Sequence, residues 1–312
     1  MVSDAVALRI EKIAEEMGYS RSKLAYSLRT GKTHTIGVLI PDLTNPMFPP
    51  IIRQIERTLV EHGYIAILAD SDNNQKSEKT IVESLKSRNV DGLILATAHR
   101  IDTIVSGVVD EHIPLVLINR TIDAHTVTAV INDDAYGIEL AIDHLVELGH
   151  LDIAFLGGPQ DTSTGHDRYL AFKKLLRAGK FKSHPKLIVN RKAFTEEEGR
   201  RGFKAIYQNG PQFTAVVAAN DLLALGCYDA MTELGLKCPD DMSVTGFNDM
   251  PFVDRLAPPL TSVHIPCDEI GVHAAELLIE RIRNPESPVR TVNLLPKLIV
   301  RKSSSAPKSR KK

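Results

Sequence analysis

Residues 35–70 read TIGVLIPDLTNPMFPPIIRQIERTLVEHGYIAILAD, and this stretch decides the fold. It opens with a short β-branched run, TIGVLI, continues with a helical pattern, PPIIRQIERTLVEHGY, and ends in a second apolar run, YIAILAD. Runs that are apolar on both faces and alternate with helices indicate a parallel sheet that helices cover on both sides. The stretch therefore predicts a strand–helix–strand unit of an α/β protein.

The same unit recurs about nine times, with further strands predicted at DGLILAT, PLVLIN, TAVIN, DIAFLGG, KLIVN, AVVAAN and MSVTGF. Nine units are more than one open doubly wound sheet commonly contains, so the sequence predicts two stacked α/β subdomains. A TIM barrel is the structural alternative. The closing segment, residues 260–302, argues against a barrel because it reads as a strand, a helix and a Pro-interrupted strand pair.

Composition places the chain among globular proteins of the cytosol. Of its 312 residues, 43% are apolar and 25% are charged, and the formal net charge is -1. The three cysteines show no CxxC spacing, so neither a disulfide framework nor a cysteine zinc site is indicated, and a reducing compartment fits best. No secretory h-region and no apolar run of roughly 18 residues is present, so a cytoplasmic protein without a membrane anchor is expected.

Enzyme motifs are scarce in the sequence. It contains no GxxxxGK[ST], GxGxxG, GxSxG or HExxH pattern, so phosphate-loop, dinucleotide, hydrolase and zinc-protease functions lose their main support. Glu269 and His273 lie four residues apart on a predicted helix, but no third metal ligand is close in sequence. We therefore expect no enzyme activity, no metal and no cofactor.

Polar residues gather instead at the carboxyl ends of predicted strands, where open α/β sheets place their ligands. Carboxamides and carboxylates beside an arginine can bind vicinal hydroxyls, and apolar side chains nearby can cover a sugar face. The alternative is that each of these residues only caps the following helix. The strand-end residues are Asp42, Thr44, Asn45, Asn119, Arg120, Asn220, Asp221, Asn248 and Asp249.

The amino-terminal part of the chain has a different sequence pattern. Residues 2–20, VSDAVALRIEKIAEEMGYS, carry one apolar stripe and predict an amphipathic helix. Residues 23–37, KLAYSLRTGKTHTIG, contain basic but no acidic residues. A short helix here would bury so few apolar residues that it could not be stable alone.

The segments YSLRTGKTHTIGVLIPDLTNPMF, ELGHLDIAFLGG, ANDLLALG, GFNDMPFVDRLAPPLTSV and ELLIERI occur in this order, and with them the chain resembles the LacI/GalR family of transcriptional regulators. The resemblance covers essentially the whole chain. It implies a homodimer with a core of two Rossmann-like subdomains of the periplasmic-binding-protein type I architecture and a small effector between them. The expected units are residues 1–33 for the DNA-binding head remnant and hinge, 34–133 plus 266–293 for one subdomain, 134–265 plus 294–302 for the other, and 303–312 for a disordered basic tail.

The resemblance also implies effector-binding residues. Arg168 matches the arginine that grips the effector, and Asn248 stands where relatives commonly carry Asp. That departure leaves Asp249 to take the role or changes which effector binds. The other matching positions are Met47, Phe48, Thr164, Phe194 and Asn220, which join the strand-end residues Asn119, Arg120 and Asp221 as candidates.

The basic stretch resembles the family hinge helix, which enters the DNA minor groove as a pair in the dimer. Leu28 matches the leucine that wedges between base steps, and Lys23 and Arg29 would approach phosphates. Leu24 and Ala25 complete the expected hinge. Relatives carry two further helices before the one at residues 2–20, of which the second reads the major groove, so the recognition helix is not expected in the sequence as given.

The predicted function is that of an effector-responsive transcriptional regulator of the repressor type, which senses a sugar or related metabolite and binds operator DNA. The first alternative is a sugar-binding protein with the same core and no DNA binding, which the basic hinge and the lack of a signal peptide disfavour. The second is a sugar-processing enzyme, disfavoured because no nucleophile, catalytic base or metal set is visible.

Overall fold

The computed structural model describes residues 31–124 and 127–308, together with Val6, Arg9 and Ile13, which are helical. The predicted hinge residues Lys23, Leu24, Ala25, Leu28 and Arg29 lie outside the described residues. The described chain forms two six-stranded sheets with helices on both faces. The predicted architecture of two α/β units is thereby confirmed, and the TIM barrel is excluded.

The first sheet is parallel throughout and has the order β2-β1-β3-β4-β5-β11. Its strands are β1 (Thr35–Ile40), β2 (Ile65–Asp70), β3 (Gly92–Leu95), β4 (Leu115–Ile118), β5 (Thr128–Asn132) and β11 (Thr291–Leu294). Its helices are α1 (Phe48–Glu61), α2 (Gln75–Ser87), α3 (Thr103–Asp110) and α8 (Cys267–Arg283). Every residue of β3 and β4 is buried, as expected for strands covered on both faces.

The second sheet repeats this order as β7-β6-β8-β9-β10-β12. Its strands are β6 (Ile153–Gly157), β7 (Ile188–Asn190), β8 (Ala215–Ala218), β9 (Ser243–Asn248), β10 (Thr261–His264) and β12 (Lys297–Ile299), of which β12 runs antiparallel to β10. Its helices are α4 (Asp134–Glu147), α5 (Ser163–Arg177), α6 (Glu196–Asn209) and α7 (Asp221–Glu233), with short 3-10 turns at Pro185–Leu187 and Val253–Arg255.

The chain passes between the two sheets three times, after β5, after β10 and after β11. Two of the crossings are joined, since the Asp133 amide donates to the Leu294 carbonyl over 2.9 Å. In both sheets the strand order reverses beside the first strand, at β1 and at β6. Ligands of open α/β sheets bind outside the carboxyl ends of strands at such a reversal, so the loops after β1 and β6 define where a site is expected.

The carboxyl-terminal segment differs from its prediction as a disordered tail. Ser303 is fully buried, accepts a hydrogen bond from the Thr261 amide over 2.7 Å and donates to the Val244 carbonyl over 2.6 Å. The Ser305 carbonyl contacts His150 Nε2 at 2.8 Å. Residues 303–305 are therefore held against the second sheet, because they complete backbone hydrogen bonds that β9 and β10 leave open. Residues 309–312 lie outside the described part of the chain.

Candidate functional site

A cleft lies between the carboxyl ends of the two sheets. Its walls are the loops after β1, β2 and β4 on one side, and the loops after β7, β8 and β9 with the start of α5 on the other. It is lined by Pro41, Asp42, Asn45, Met47, Phe48, Asn73, Asn119, Arg120, Thr164, Arg168, Phe194, Asn220 and Asn248. The structure thus brings together eleven of the fourteen candidate residues named from the sequence.

Arg168 is the most tightly held side chain of the cleft, with 2% of its surface exposed. Its Nε and Nη2 both donate to Asp134 Oδ1, over 2.9 and 2.8 Å, and its Nη1 donates to the Ala219 carbonyl over 2.6 Å. The guanidinium carbon also lies 3.7 Å from the centre of the Phe247 ring, a cation–π geometry. Three of the five N–H groups are thereby engaged by the protein, which fixes the orientation of the guanidinium before any ligand binds.

Asp134 is the counter-ion of Arg168, and only 8% of it is exposed. Burial raises the pKa of Asp134 to about 6, while the neighbouring guanidinium lowers it. The carboxylate is therefore ionised at neutral pH, and the charge of Arg168 is compensated inside the protein.

Three buried polar atoms of cleft residues have no hydrogen-bond partner among the described residues. They are Asn119 Oδ1, Arg120 Nε and Asn248 Oδ1. Both asparagines have positive φ, 61° and 108°, a conformation that asparagine adopts more readily than most other residues. Because buried polar groups in folded proteins are almost always paired, these three atoms are available to a partner that the described residues do not supply.

Asn220 serves as a helix cap and as a cleft residue at once. Its Oδ1 accepts from the Leu223 amide over 2.9 Å at the start of α7, which leaves its amide nitrogen for the cleft. The capping interpretation of this residue and the binding interpretation are therefore compatible.

Apolar side chains flank the polar ones. Met47 and Phe48 are buried at the start of α1, and Phe194 packs against Gly158 so closely that a Cβ there would lie 2.1 Å from the ring. A side chain at position 158 would therefore displace the aromatic ring from its place at the cleft. Such rings beside carboxamides provide both an apolar wall and directional hydrogen bonds.

Two nominated carboxylates do not line the cleft. Asp221 is fully buried below it, where it accepts from Ser262 Oγ over 2.5 Å and from the Met250 amide over 2.8 Å. Asp249 is paired with Arg301 over 2.6 Å and with His264 over 3.1 Å. Both carboxylates serve the packing of the second sheet instead, because their partners come from its strands and loops.

Sequence reasoning missed Asn73 and Asp134. Asn73 follows β2 and lines the cleft, so the rule of polar residues at strand ends could have found it. Asp134 carries no such signal, since it reads as the acidic first turn of a helix and meets Arg168 only in three dimensions.

Comparison with known proteins agrees with this geometry. The model of the periplasmic binding protein-like domain family matches residues 142–304, just over half of the chain. The HTH-type transcriptional repressor PurR of Edwardsiella ictaluri is 31% identical over 304 residues, which cover 97% of this chain and 89% of PurR. The chain belongs to the LacI/GalR family of transcriptional regulators.

Solved structures of LacI/GalR regulators show the same fold. A complex of the transcriptional regulator CelR with cellobiose has a TM-score of 0.81 at 26% identity and covers 97% of this chain and 92% of CelR. A LacI family regulator from Enterococcus faecium with bound ribose has a TM-score of 0.75 at 29% identity and covers 88% of this chain and all of that one.

The LacI/GalR assignment agrees with the prediction that the chain is a regulator and not an enzyme. Within residues 31–124 and 127–308, no three His, Cys, Asp or Glu side chains are grouped so that they could hold a metal ion. No helix in the described part of the chain is long and apolar enough to cross a membrane.

Proposed function

We propose that this LacI/GalR chain is a repressor-type regulator whose cleft binds a sugar and whose hinge binds operator DNA as a homodimer. The observation that carries the proposal is the set of unpartnered buried atoms, Asn119 Oδ1, Arg120 Nε and Asn248 Oδ1, at one cleft between the two sheets. A polyhydroxylated ligand can supply a partner to each of them. The bound cellobiose and ribose in related structures support the same ligand class.

The two sheets with their helices are the proposed moving parts, namely residues 34–133 plus 266–293 and residues 134–265 plus 294–302. Contacts between them beside the cleft support closure as a defined state. The Arg100 amide donates to the Asp161 carbonyl over 2.8 Å, and the Thr121 amide donates to Ser163 Oγ over 3.0 Å. A ligand that both units contact stabilises the closed arrangement relative to an open one. The DNA affinity then changes if the distance between the two hinges of the dimer differs between the closed and the open arrangement.

A homodimer is proposed because the chain exposes an apolar groove beside the cleft mouth. The groove is lined on one side by Leu222, Leu225, Met250, Phe252 and Val253. Leu222, Met250 and Val253 are buried, whereas Phe252 has 70% of its surface exposed. A large apolar side chain exposed beside an apolar groove is typical of protein interfaces. We propose that a second copy of the chain binds at this groove, because the hinge helix is expected to enter the minor groove only as a pair.

The DNA-binding test uses the full chain and labelled duplexes selected from a random pool, with fluorescence anisotropy as the readout. We expect binding that falls several-fold in the Leu28→Ala variant and is unchanged in Leu151→Ala, an exposed leucine far from the hinge in sequence. Sugars that bind the cleft are expected to change the DNA affinity. Sugar binding with no DNA binding would favour the sugar-binding alternative, and turnover of the sugar would favour the enzyme.

The dimer is tested by sedimentation velocity. Phe252→Glu places a charge in the proposed interface and is expected to shift the chain towards the monomer, because an unpaired charge buried in an apolar contact is unfavourable. Ile101→Glu, at another residue with 85% of its surface exposed, is the matched control and is expected to leave the dimer intact. A monomeric wild type would contradict this part of the proposal.

A further inference from the structure

Arg120 is a buried arginine that no carboxylate contacts among the described residues. Only 8% of its surface is exposed, and it lines the cleft at the end of β4. Its side chain makes a single long hydrogen bond, from Nη1 to the Thr97 carbonyl over 3.5 Å, and its Nε has no partner. Among the described residues, no carboxylate oxygen lies within 4 Å of its guanidinium. Buried arginines are ordinarily paired, so this residue requires an explanation.

The acidic groups that act on Arg120 from a distance compensate its charge only in part. Glu78 acts on it electrostatically from α2, but burial and the neighbouring Asp102 raise the pKa of Glu78 to about 7, so at neutral pH part of this group is uncharged. Asp161 also acts on it, but its carboxylate is 67% exposed, where solvent screens its charge, and it contacts His99. Burial lowers the pKa of Arg120 only to about 10, so the guanidinium stays charged at neutral pH.

Arg168 provides the internal comparison. It lines the same cleft and is equally buried, yet Asp134 holds it with two hydrogen bonds to one carboxylate oxygen. The fold therefore places a hydrogen-bonded carboxylate against one of the two cleft arginines, whereas none of the described carboxylates contacts the other. A neutral ligand would leave the charge of Arg120 unpaired in a closed cleft, which is unfavourable.

The remaining walls of the cleft tolerate a negative charge. Five of its thirteen lining residues are asparagines, and the one carboxylate among the lining residues is Asp42. Asp42 is turned to its own loop, where Oδ1 accepts from both the amide and the hydroxyl of Thr44 over 2.8 and 2.6 Å. Carboxamides bind hydroxyls and anionic oxygens alike, whereas carboxylates would repel an anion.

We propose that the effector is a sugar derivative that carries an anionic group, and that this group binds Arg120. The inference rests on the proposed function of the cleft as the effector site. A carboxylate, as in a sugar acid, and a phosphate, as in a sugar phosphate, share the chemistry that pairs with a guanidinium. The ring hydroxyls would then face Asn119, Asn248 and Arg168.

The test measures binding by calorimetry to the full chain, with matched sets of a neutral sugar, its acids and its phosphate. One set is D-glucose, D-gluconate, D-glucuronate and D-glucose 6-phosphate, and the other is D-ribose, D-ribonate and D-ribose 5-phosphate. We expect at least one charged member to bind more tightly than the neutral member of its set by about tenfold or more. Comparing the sugar acids with the sugar phosphates shows whether the anionic group is a carboxylate or a phosphate. Acetate and inorganic phosphate, which lack the hydroxyls, are expected to bind far more weakly.

Two variants connect the preference to Arg120. Arg120→Gln is expected to lower the affinity for the charged ligand by about 30-fold or more and to alter that for the neutral sugar much less. Arg120→Lys, which keeps the charge, is expected to recover part of the affinity. Arg100→Gln is the matched control, because Arg100 lies nearby but pairs with Asp123 away from the cleft.

The possible outcomes separate this inference from the function on which it rests. If the neutral sugar binds as tightly as its charged derivatives in the wild type, the inference is overturned while the sugar-binding function stands. The inference is equally overturned if Arg120→Gln reduces the affinity for charged and neutral ligands by the same factor. Failure of every ligand in both sets to bind contradicts the proposed function and the inference together. If Arg120→Gln does not fold, the comparison of charged with neutral ligands on the wild type decides alone.

Discussion

Breaking the ion pair between Asp134 and Arg168 should destabilise the protein strongly, because both partners are more than nine-tenths buried. Removal of one member of a buried pair costs about 3–5 kcal/mol, since the other charge stays buried without a partner. The Asp134→Asn variant keeps an oxygen that can accept from Arg168, so we expect the lower end, about 3 kcal/mol. For a protein of this size that corresponds to a decrease in Tm of roughly 5 °C.

A double-mutant cycle isolates the pair from its surroundings. Asp134→Asn, Arg168→Met and the double variant are unfolded in urea at about pH 7.5, where the pair is ionised. The double variant should lose about 2 kcal/mol less than the sum of the single variants, because it leaves no unpaired charge. The partly exposed pair of Arg100 and Asp123 is the control, for which a coupling below about 1 kcal/mol is expected. A coupling that small for Asp134 and Arg168 would refute the reasoning.

Three further predictions concern packing, pH and the carboxyl-terminal segment. Gly226→Ala should destabilise by about 1–3 kcal/mol or more in urea unfolding, because the new Cβ would lie 2.0 Å from the Glu196 carbonyl oxygen. Gly107→Ala, also within a helix but with no atom within 4 Å of the new Cβ, should stabilise by roughly 0.5–1 kcal/mol, and equal effects of the two would contradict this account. Burial lowers the pKa of His150 below 6.5, so the unfolded chain binds the proton more tightly and stability falls as the pH drops below that value. When the pH is lowered from about 7.5 to about 5.5, the Tm of His150→Gln should therefore fall less than the Tm of the wild type. An identical decrease in both proteins would argue against His150 as the cause. Ser303→Ala should cost about 1–3 kcal/mol in urea unfolding, because it removes both hydrogen bonds of a fully buried hydroxyl, and a neutral effect would show that the segment detaches freely.

The predicted strands show where local pattern is sufficient. TIGVLI, TAVIN and DIAFLGG appear as β1, β5 and β6 within a residue or two, because buried parallel strands need continuous apolar runs. KLIVN is only partly a strand, since the chain from Pro185 first makes a 3-10 turn. The prediction of a disordered tail rests on its Ser, Lys and Pro content. Composition does not reveal that a serine hydroxyl can complete the hydrogen bonding of a sheet, as that of Ser303 does.

The candidate site shows the limit of the same reasoning. The strand-end rule selects Asn119, Arg120, Asn220 and Asn248, which all line the cleft, but it also selects Asp221. That carboxylate points into the second sheet, where Ser262 and the Met250 amide bind it. Sequence spacing cannot separate the two cases, because Asn220 caps α7 and Asp221 begins it, and only the packing around the helix start decides which side chain faces the cleft.

The sequence by itself determined the family, the alternation of strands and helices, and the strand ends at which a ligand would bind. These features follow from short-range patterns of apolar and polar residues, which the chain carries wherever it folds. Only the tertiary structure decided which charges are compensated, since Asp134 meets Arg168 across 34 positions of sequence while Arg120 meets no carboxylate in the described chain. Compensation depends on distances of 3–4 Å between side chains from different elements, and those distances exist only after the two sheets have packed.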